Sequence, residues 1–155
     1  MIDPRSGVRS KAAAFLTSVV ALLTLAPALA AQADAPPFTA EQAEAGSEAY
    51  RSECAMCHGL ALEGTVAPPL VGNVFRTNWY AGDRTLGDLF DHIANSMPLA
   101  APGSLTDGQY AAITAFLLER NGHPAGDEPL VADLEALDGY TLAPPEDAEE
   151  KEEGR

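Results

Sequence analysis

The stretch Cys54-Ala55-Met56-Cys57-His58 decides how the rest of the chain is interpreted. Two thiols stand three positions apart, and an imidazole follows the second thiol directly. On a helical turn, residues three apart project from the same side. Both thiols can therefore reach neighbouring points on one edge of a flat ligand, while the histidine swings underneath it. The spacing and setting favour a bound planar group over a disulfide.

Cys-x-x-Cys-His is the attachment signature of c-type haem. We predict one haem c, attached through Cys54 and Cys57, with His58 as the proximal iron ligand. Two alternatives stay open. A thioredoxin-like redox pair would follow a strand and begin a helix, whereas this pair ends a predicted helix. A structural zinc site would need two further ligands, and the chain has no second cysteine pair.

The sequence around the motif predicts a small all-α domain. Capping-box patterns occur at Thr39 with Gln42 and at Thr106 with Gln109. No stretch alternates polar and apolar residues over the length of a strand. The predicted elements are a helix from 40 to about 54, a loop over 59–72, a helix that Thr85 caps and Pro98 ends, and a helix from Thr106 to Asn121-Gly122. The last two helices each carry an apolar stripe, formed by Leu86, Leu89, Phe90 and Ile93 and by Tyr110, Ile113, Phe116 and Leu117.

The chain divides into four predicted segments. Residues 1–30 are a signal peptide, 38–126 the haem domain, 127–140 a C-terminal wrap or short helix, and 141–155 an acidic, disordered tail. The first segment has a basic start, an apolar run over 12–25 and small residues before cleavage after Ala30 or Ala33. It predicts export, most naturally to a bacterial periplasm. An uncleaved N-terminal anchor is the alternative.

Composition limits the possible partners and suggests how the core is filled. The 155 residues include 9 basic and 23 acidic side chains, a formal net charge of −14. Nucleic acid and anionic lipid would be repelled by that charge, so neither is expected as a partner. Aromatic residues make up only 6% of the chain. A small domain so poor in large side chains needs another group at its centre, which a haem would supply.

Met97 is the candidate for the second iron ligand. It follows a predicted helix and precedes a proline in an irregular loop, from which a soft thioether can reach iron on the face opposite His58. A plain core methionine is the alternative. Met56 should point away from the ring, and His92 falls on the polar flank of its helix. His123 follows a helix C-terminus, where its positive charge would be welcome.

Three further residues are predicted to contact the haem. Pro68 lies in a proline-stiffened loop about ten residues past the histidine, and its carbonyl can accept the second ring N–H of that ligand. Leu70 is predicted to pack on the ring. Trp79 is chosen over Arg76 and Arg84 as the donor to a buried propionate.

These features together resemble the class I cytochromes c. The likeness covers residues 38 to about 123 and follows the family order of helix, haem motif, proline loop, methionine loop and C-terminal helix. In that family a glycine lets the first and last helices cross closely, and Gly46 and Tyr50 occupy matching positions. The resemblance implies a small all-α fold wrapped around one covalently attached haem, with His/Met ligation. It also implies an electron-transfer protein rather than an enzyme.

A narrower likeness, over 79–90, 96–98 and 110–126, is to cytochromes that accept electrons from pyrroloquinoline-quinone dehydrogenases. It implies a periplasmic quinoprotein alcohol or sugar dehydrogenase as donor, with electrons passed toward a terminal oxidase. The acidic charge predicts partners with a positive rim and association weakened by salt. A fixed subunit of a dehydrogenase or oxidase complex, and a ligand-binding or peroxidatic haem protein, are the alternative functions.

Overall fold

The computed structural model describes residues 35–145, so the predicted signal peptide and the tail from 146 onward lie outside the described part. Within it the fold is all-α, as predicted. The helices are α1 (Ala40–Glu53), α2 (Ala55–His58), α3 (Gly72–Trp79), α4 (Leu86–Ser96), α5 (Asp107–Arg120) and α6 (Leu134–Leu137). None of the helices described between 35 and 145 is long and apolar enough to cross a membrane.

The helix starts follow from their capping residues. Thr85 and Thr106 each head a complete capping box, in which the threonine hydroxyl accepts an N–H of the first turn and a side chain of that turn returns the bond. Thr39 caps α1 by accepting from the Gln42 N–H at 3.2 Å. The capping box predicted there is half wrong, because the Gln42 amide turns away from the cap and bonds the backbone of Leu130 instead.

The closest helix contact is the crossing of α1 and α5. A Cβ atom built at Gly46 would overlap the carbonyl oxygen of Ala112, so only glycine allows this approach. Beside it the rings of Tyr50 and Phe116 pack with their centroids 5.3 Å apart. The crossing implied by the family resemblance is therefore present. Every residue of α5 from Tyr110 to Leu118 is buried, because α4 packs against this helix as well as α1.

Helix α3 was not predicted from the sequence. Its N-cap, Val71, offers no side-chain hydrogen bond, so the usual start signal is missing. Eight residues are also too few for a clear apolar period. The helix nevertheless buries Phe75 and places the Trp79 ring 6.4 Å from the Phe75 ring. It thereby forms part of the wall of the central cavity.

The segment after α5 wraps around the domain, and both predicted forms of it occur. An extended stretch buries Leu130, and the short α6 buries Leu137. Thr141 pairs with Thr85 in an isolated antiparallel bridge, and Leu142 is buried. The predicted start of the tail at 141 is therefore too early, because residues 141–142 pack against the domain.

Gly46→Ala is expected to destabilise the haem-loaded protein by about 1–3 kcal/mol, because the added methyl forces α1 and α5 apart. Gly108→Ala, in the first turn of α5, is the matched control: no atom lies within 4 Å of its added Cβ. That variant should be neutral or up to about 1 kcal/mol more stable. Denaturant unfolding measures both, and equal effects at the two glycines would contradict the close crossing.

Candidate haem-binding site

A cavity of about 510 Å³ opens at the centre of the described domain. This volume falls within the range of roughly 300–1,000 Å³ that is typical of cofactor pockets. Its deeper walls come from apolar side chains of α4 and α5, including Leu89, Ile93 and Ile113. All seven side chains predicted to contact the cofactor line it: Cys54, Cys57, His58, Pro68, Leu70, Trp79 and Met97.

A tight turn between α1 and α2 presents the thiols and the imidazole. Cys54 ends α1 and bonds back to Tyr50 through its own N–H at 2.9 Å. Its carbonyl oxygen accepts from the N–H groups of both Cys57 and His58, at 3.1 and 3.0 Å. The turn that these bonds close brings all three reactive side chains to the same cavity.

The ease with which the thiols ionise tests the alternative of a thioredoxin-like redox pair. Both cysteines are half-buried. Burial raises the pKa of the Cys54 thiol from 9.0 to about 11, and the charges of Glu53 and Cys57 contribute in the same direction. A thiol–disulfide catalyst needs the opposite shift, because its attacking cysteine must ionise near neutral pH. The site therefore does not support that alternative.

The imidazole of His58 is held in one orientation. Its Nδ1 lies 2.8 Å from the carbonyl oxygen of Pro68, which can only accept, so Nδ1 carries the proton and donates. The loop that contains Pro68 is held against the haem motif by a second hydrogen bond, in which the Ala67 N–H donates to the Cys57 carbonyl oxygen at 3.0 Å. The contact at Nδ1 leaves Nε2 as the ring nitrogen available to bind iron.

Tyr110 anchors the loop that carries Met97, a role the sequence analysis did not assign. The Tyr110 hydroxyl donates to the Met97 carbonyl oxygen at 2.8 Å and accepts from the Leu105 N–H at 3.3 Å. At the other end, the Met97 N–H bonds to Ile93 at 3.0 Å and closes α4. Tyr110 looks like an ordinary stripe residue in the sequence, because nothing in the pattern shows where its hydroxyl points.

Trp79 lines the cavity together with two side chains that the sequence analysis set aside. The Arg84 guanidinium lies 5.2 Å from the centroid of the indole, within cation–π range. The His92 ring lies 5.4 Å from the indole, and although it is exposed, as predicted, it too borders the cavity. Arg76 is not among the lining residues.

His123 has a different role from the one predicted. It is buried, and burial lowers the pKa of its imidazole from 6.5 to about 4, so the ring is neutral at physiological pH. The Tyr80 hydroxyl, whose own pKa burial raises, forms a hydrogen bond of 2.9 Å with Nε2. The sequence position after a helix suggested a useful positive charge, but desolvation outweighs that gain.

The donor set fits haem better than a bare metal ion. Two thiols, one oriented imidazole and one thioether border a single cavity of cofactor size. In the described range, 35–145, no three His, Cys, Asp or Glu side chains come together as a metal cluster. The zinc alternative therefore finds no support there.

Comparison with known proteins gives a family match, a relative and a similar solved structure. Residues 41–117 match the family described as cytochrome c oxidase, cbb3-type, subunit III. The chain is 34% identical over 90 residues to a thiosulfate dehydrogenase of Stutzerimonas stutzeri (strain A1501), an alignment that covers 54% of this chain and 28% of that protein. The crystal structure of sulfane dehydrogenase SoxCD from Paracoccus pantotrophus matches with a TM-score of 0.46 at 28% identity, over 64% of this chain and 52% of that chain. The chain thus spans less than a third of the length of the thiosulfate dehydrogenase.

Acidification is expected to unfold the protein partly through His123. Because its folded pKa of about 4 lies below 6.5, the unfolded state binds more protons between those values, and stability falls as the pH drops through them. The loss is up to about 3 kcal/mol. His123→Gln, which stays neutral, should show a shallower fall between pH 6.5 and 4 in denaturant titrations. Identical slopes for the two proteins would contradict the buried neutral imidazole.

Proposed function

Because the chain is a class I c-type cytochrome with a covalently bound haem c, we propose that it carries single electrons between redox proteins in the periplasm, with His58 and Met97 as iron ligands. One observation carries the proposal: both residues border the same cavity. The His58 imidazole is held by a 2.8 Å hydrogen bond to the Pro68 carbonyl oxygen, and the backbone of Met97 is held by a 2.8 Å hydrogen bond from the Tyr110 hydroxyl.

This ligand pair favours electron transfer over bond-making chemistry. The haem supplies the Fe(III)/Fe(II) couple, and ligation by a methionine together with a histidine raises its reduction potential. Two protein ligands leave no open position for a substrate. The Pro68 carbonyl and the Tyr110 hydroxyl hold the residues that carry these ligands, so the site has little to rearrange when its charge changes. The proposed role is therefore that of a carrier and not of an enzyme.

The location and the partners extend the proposal. The basic start and apolar run of residues 1–30 support export to the periplasm through a cleaved signal peptide. The resemblance to cytochromes of quinoprotein dehydrogenases supports an alcohol or sugar dehydrogenase as electron donor. The match to a family described as an oxidase subunit supports a terminal oxidase as acceptor.

The cavity mouth supplies a contact surface for these partners. Met56, Val66 and Leu99 border it and are 86%, 83% and 80% exposed. Among the described residues, Glu53 contributes the one carboxylate and Arg84 the one guanidinium that line the cavity. Contact at the mouth is therefore apolar, while the net charge of −14 acts at longer range on a positively charged partner. Such small, transient interfaces are typical of redox encounters.

A second candidate is a cytochrome subunit fixed in a larger dehydrogenase. It is favoured by the thiosulfate dehydrogenase relative, in which the aligned part is 28% of the protein. Gel filtration of a native extract separates the two, since a free carrier elutes alone. Reduction of the purified protein by thiosulfate without any added dehydrogenase would favour a sulfur-compound enzyme over the carrier.

The iron ligation is tested by visible spectroscopy. The oxidised protein should show the weak band at about 695 nm that is typical of methionine-ligated haem c. Met97→Ala should lose this band and bind carbon monoxide rapidly, because a coordination position opens. Met56→Ala is the matched control and should keep the band, since its side chain faces solvent. Rapid carbon monoxide binding by the unaltered protein would support the ligand-binding alternative.

The contact surface is tested by stopped-flow reduction with a purified quinoprotein dehydrogenase. Val66→Ser should slow the second-order rate several-fold without changing the reduction potential, because it removes apolar contact area at the cavity mouth. Val131→Ser makes the same change at an exposed valine away from the cavity lining and should leave the rate unchanged. Rates should also fall as ionic strength rises. Equal rates for both variants would reject this surface.

A further inference from the structure

The C-terminal segment, residues 127–145, lies beyond the part of the chain that matches the cytochrome family, which ends at residue 117. It is nevertheless built into the domain. The Gln42 side-chain amide bonds the backbone of Leu130 twice, donating at 2.7 Å and accepting at 2.8 Å. Leu130, Leu137 and Leu142 are all buried in the core. A segment held in this way is part of the folded unit.

The end of this segment pairs with the backbone that carries Arg84. The Leu142 N–H donates to the Arg84 carbonyl oxygen at 2.8 Å, and the Leu86 N–H donates to the Tyr140 carbonyl oxygen at 2.8 Å. These two bonds flank an isolated antiparallel bridge. The backbone from residue 84 to residue 86 is therefore fixed by the C-terminal segment immediately before α4 begins.

A side-chain contact reinforces the pairing. The Thr85 hydroxyl donates to Asp138 Oδ1 at 2.9 Å, while its oxygen also accepts the Asp88 N–H and caps α4. A Cβ atom built at Gly87 would overlap the Asp138 carboxylate, so the segment lies directly against the first turn of that helix. The backbone at Arg84 and at the three residues after it is thus held against the C-terminal segment.

Arg84 matters because of what its side chain reaches. Its guanidinium stacks over Trp79 on the wall of the haem cavity. Arg84 is the one arginine or lysine among the described residues that line the cavity, and an arginine side chain stays charged at physiological pH. A long arginine side chain on a mobile loop would sample many positions in solvent. On a fixed backbone it stays near the indole, and its charge stays near the cavity.

We propose that residues 127–145 act as a positioning element that raises the reduction potential of the haem by holding Arg84 against Trp79 on the cavity wall. A nearby positive charge disfavours Fe(III) relative to Fe(II), because the oxidised site carries one more positive charge. Losing the guanidinium from this place therefore lowers the potential. The inference depends on the bound haem but not on the identity of either redox partner.

The test is redox titration of haem-loaded variants at low salt, where charges are least screened. Arg84→Gln should lower the potential, and Arg84→Lys should restore part of it. Leu142→Ala changes no charge, yet it removes the buried anchor of the pairing, so it should lower the potential in the same direction by a smaller amount. In the double variant Arg84→Gln/Leu142→Ala, the second substitution should cause no additional shift.

Leu130→Ala is the matched control, since it truncates an equally buried leucine of the same segment at a site held by Gln42 and not by the Arg84 backbone. It should lower the midpoint of denaturant unfolding and leave the potential unchanged. If Leu142→Ala does not fold, the smaller change Leu142→Val takes its place. Equal potential shifts from the two leucines, additive shifts in the double variant, or no shift from Arg84→Gln would each overturn the proposal.

Discussion

The close crossing of α1 and α5 at Gly46 governs the geometry of both proposed iron ligands. The C-terminal end of α1 leads directly into the turn that presents the thiols and His58. The N-terminal end of α5 carries Tyr110, whose hydroxyl holds the backbone of Met97. Each ligand is thus attached to one of the two helices, and the distance between them is fixed where the helices touch. A shift at this crossing would move the imidazole relative to the thioether, although the crossing itself contributes no atom to the site.

The structure also explains how a chain so poor in aromatic residues forms a core. Its buried aliphatic side chains do not close on one another at the centre but surround a cavity of about 510 Å³. The walls include Phe75 and Trp79 from the short helix α3. A haem bound in this cavity would complete the core as well as the redox site.

Much of this arrangement could be predicted from the sequence, because it rests on local signals. Threonine caps, an apolar period and a glycine after a helix are read within a few residues, and they gave the starts and ends of α4 and α5. The loop carbonyl at Pro68 was also predictable, since its distance along the chain from the haem motif is short. Helix α3 escaped prediction because it has no side-chain cap, and the other features that escaped depend on long-range contacts. Gln42 forms a hydrogen bond with Leu130, which is 88 positions away, and Tyr80 forms one with His123, which is 43 positions away. No local sequence pattern predicts either partner.

The stretch before α1 and the stretch after α5 meet at one place. The Gly126 N–H bonds to the carbonyl oxygen of Phe38 at 2.8 Å, just before α1 begins. The C-terminal segment therefore starts beside the N-terminal end of α1, and it runs from there to the N-terminal end of α4, where the Leu142 N–H bonds to the Arg84 carbonyl oxygen. One continuous stretch of chain thus connects the starts of two helices that are far apart in the sequence.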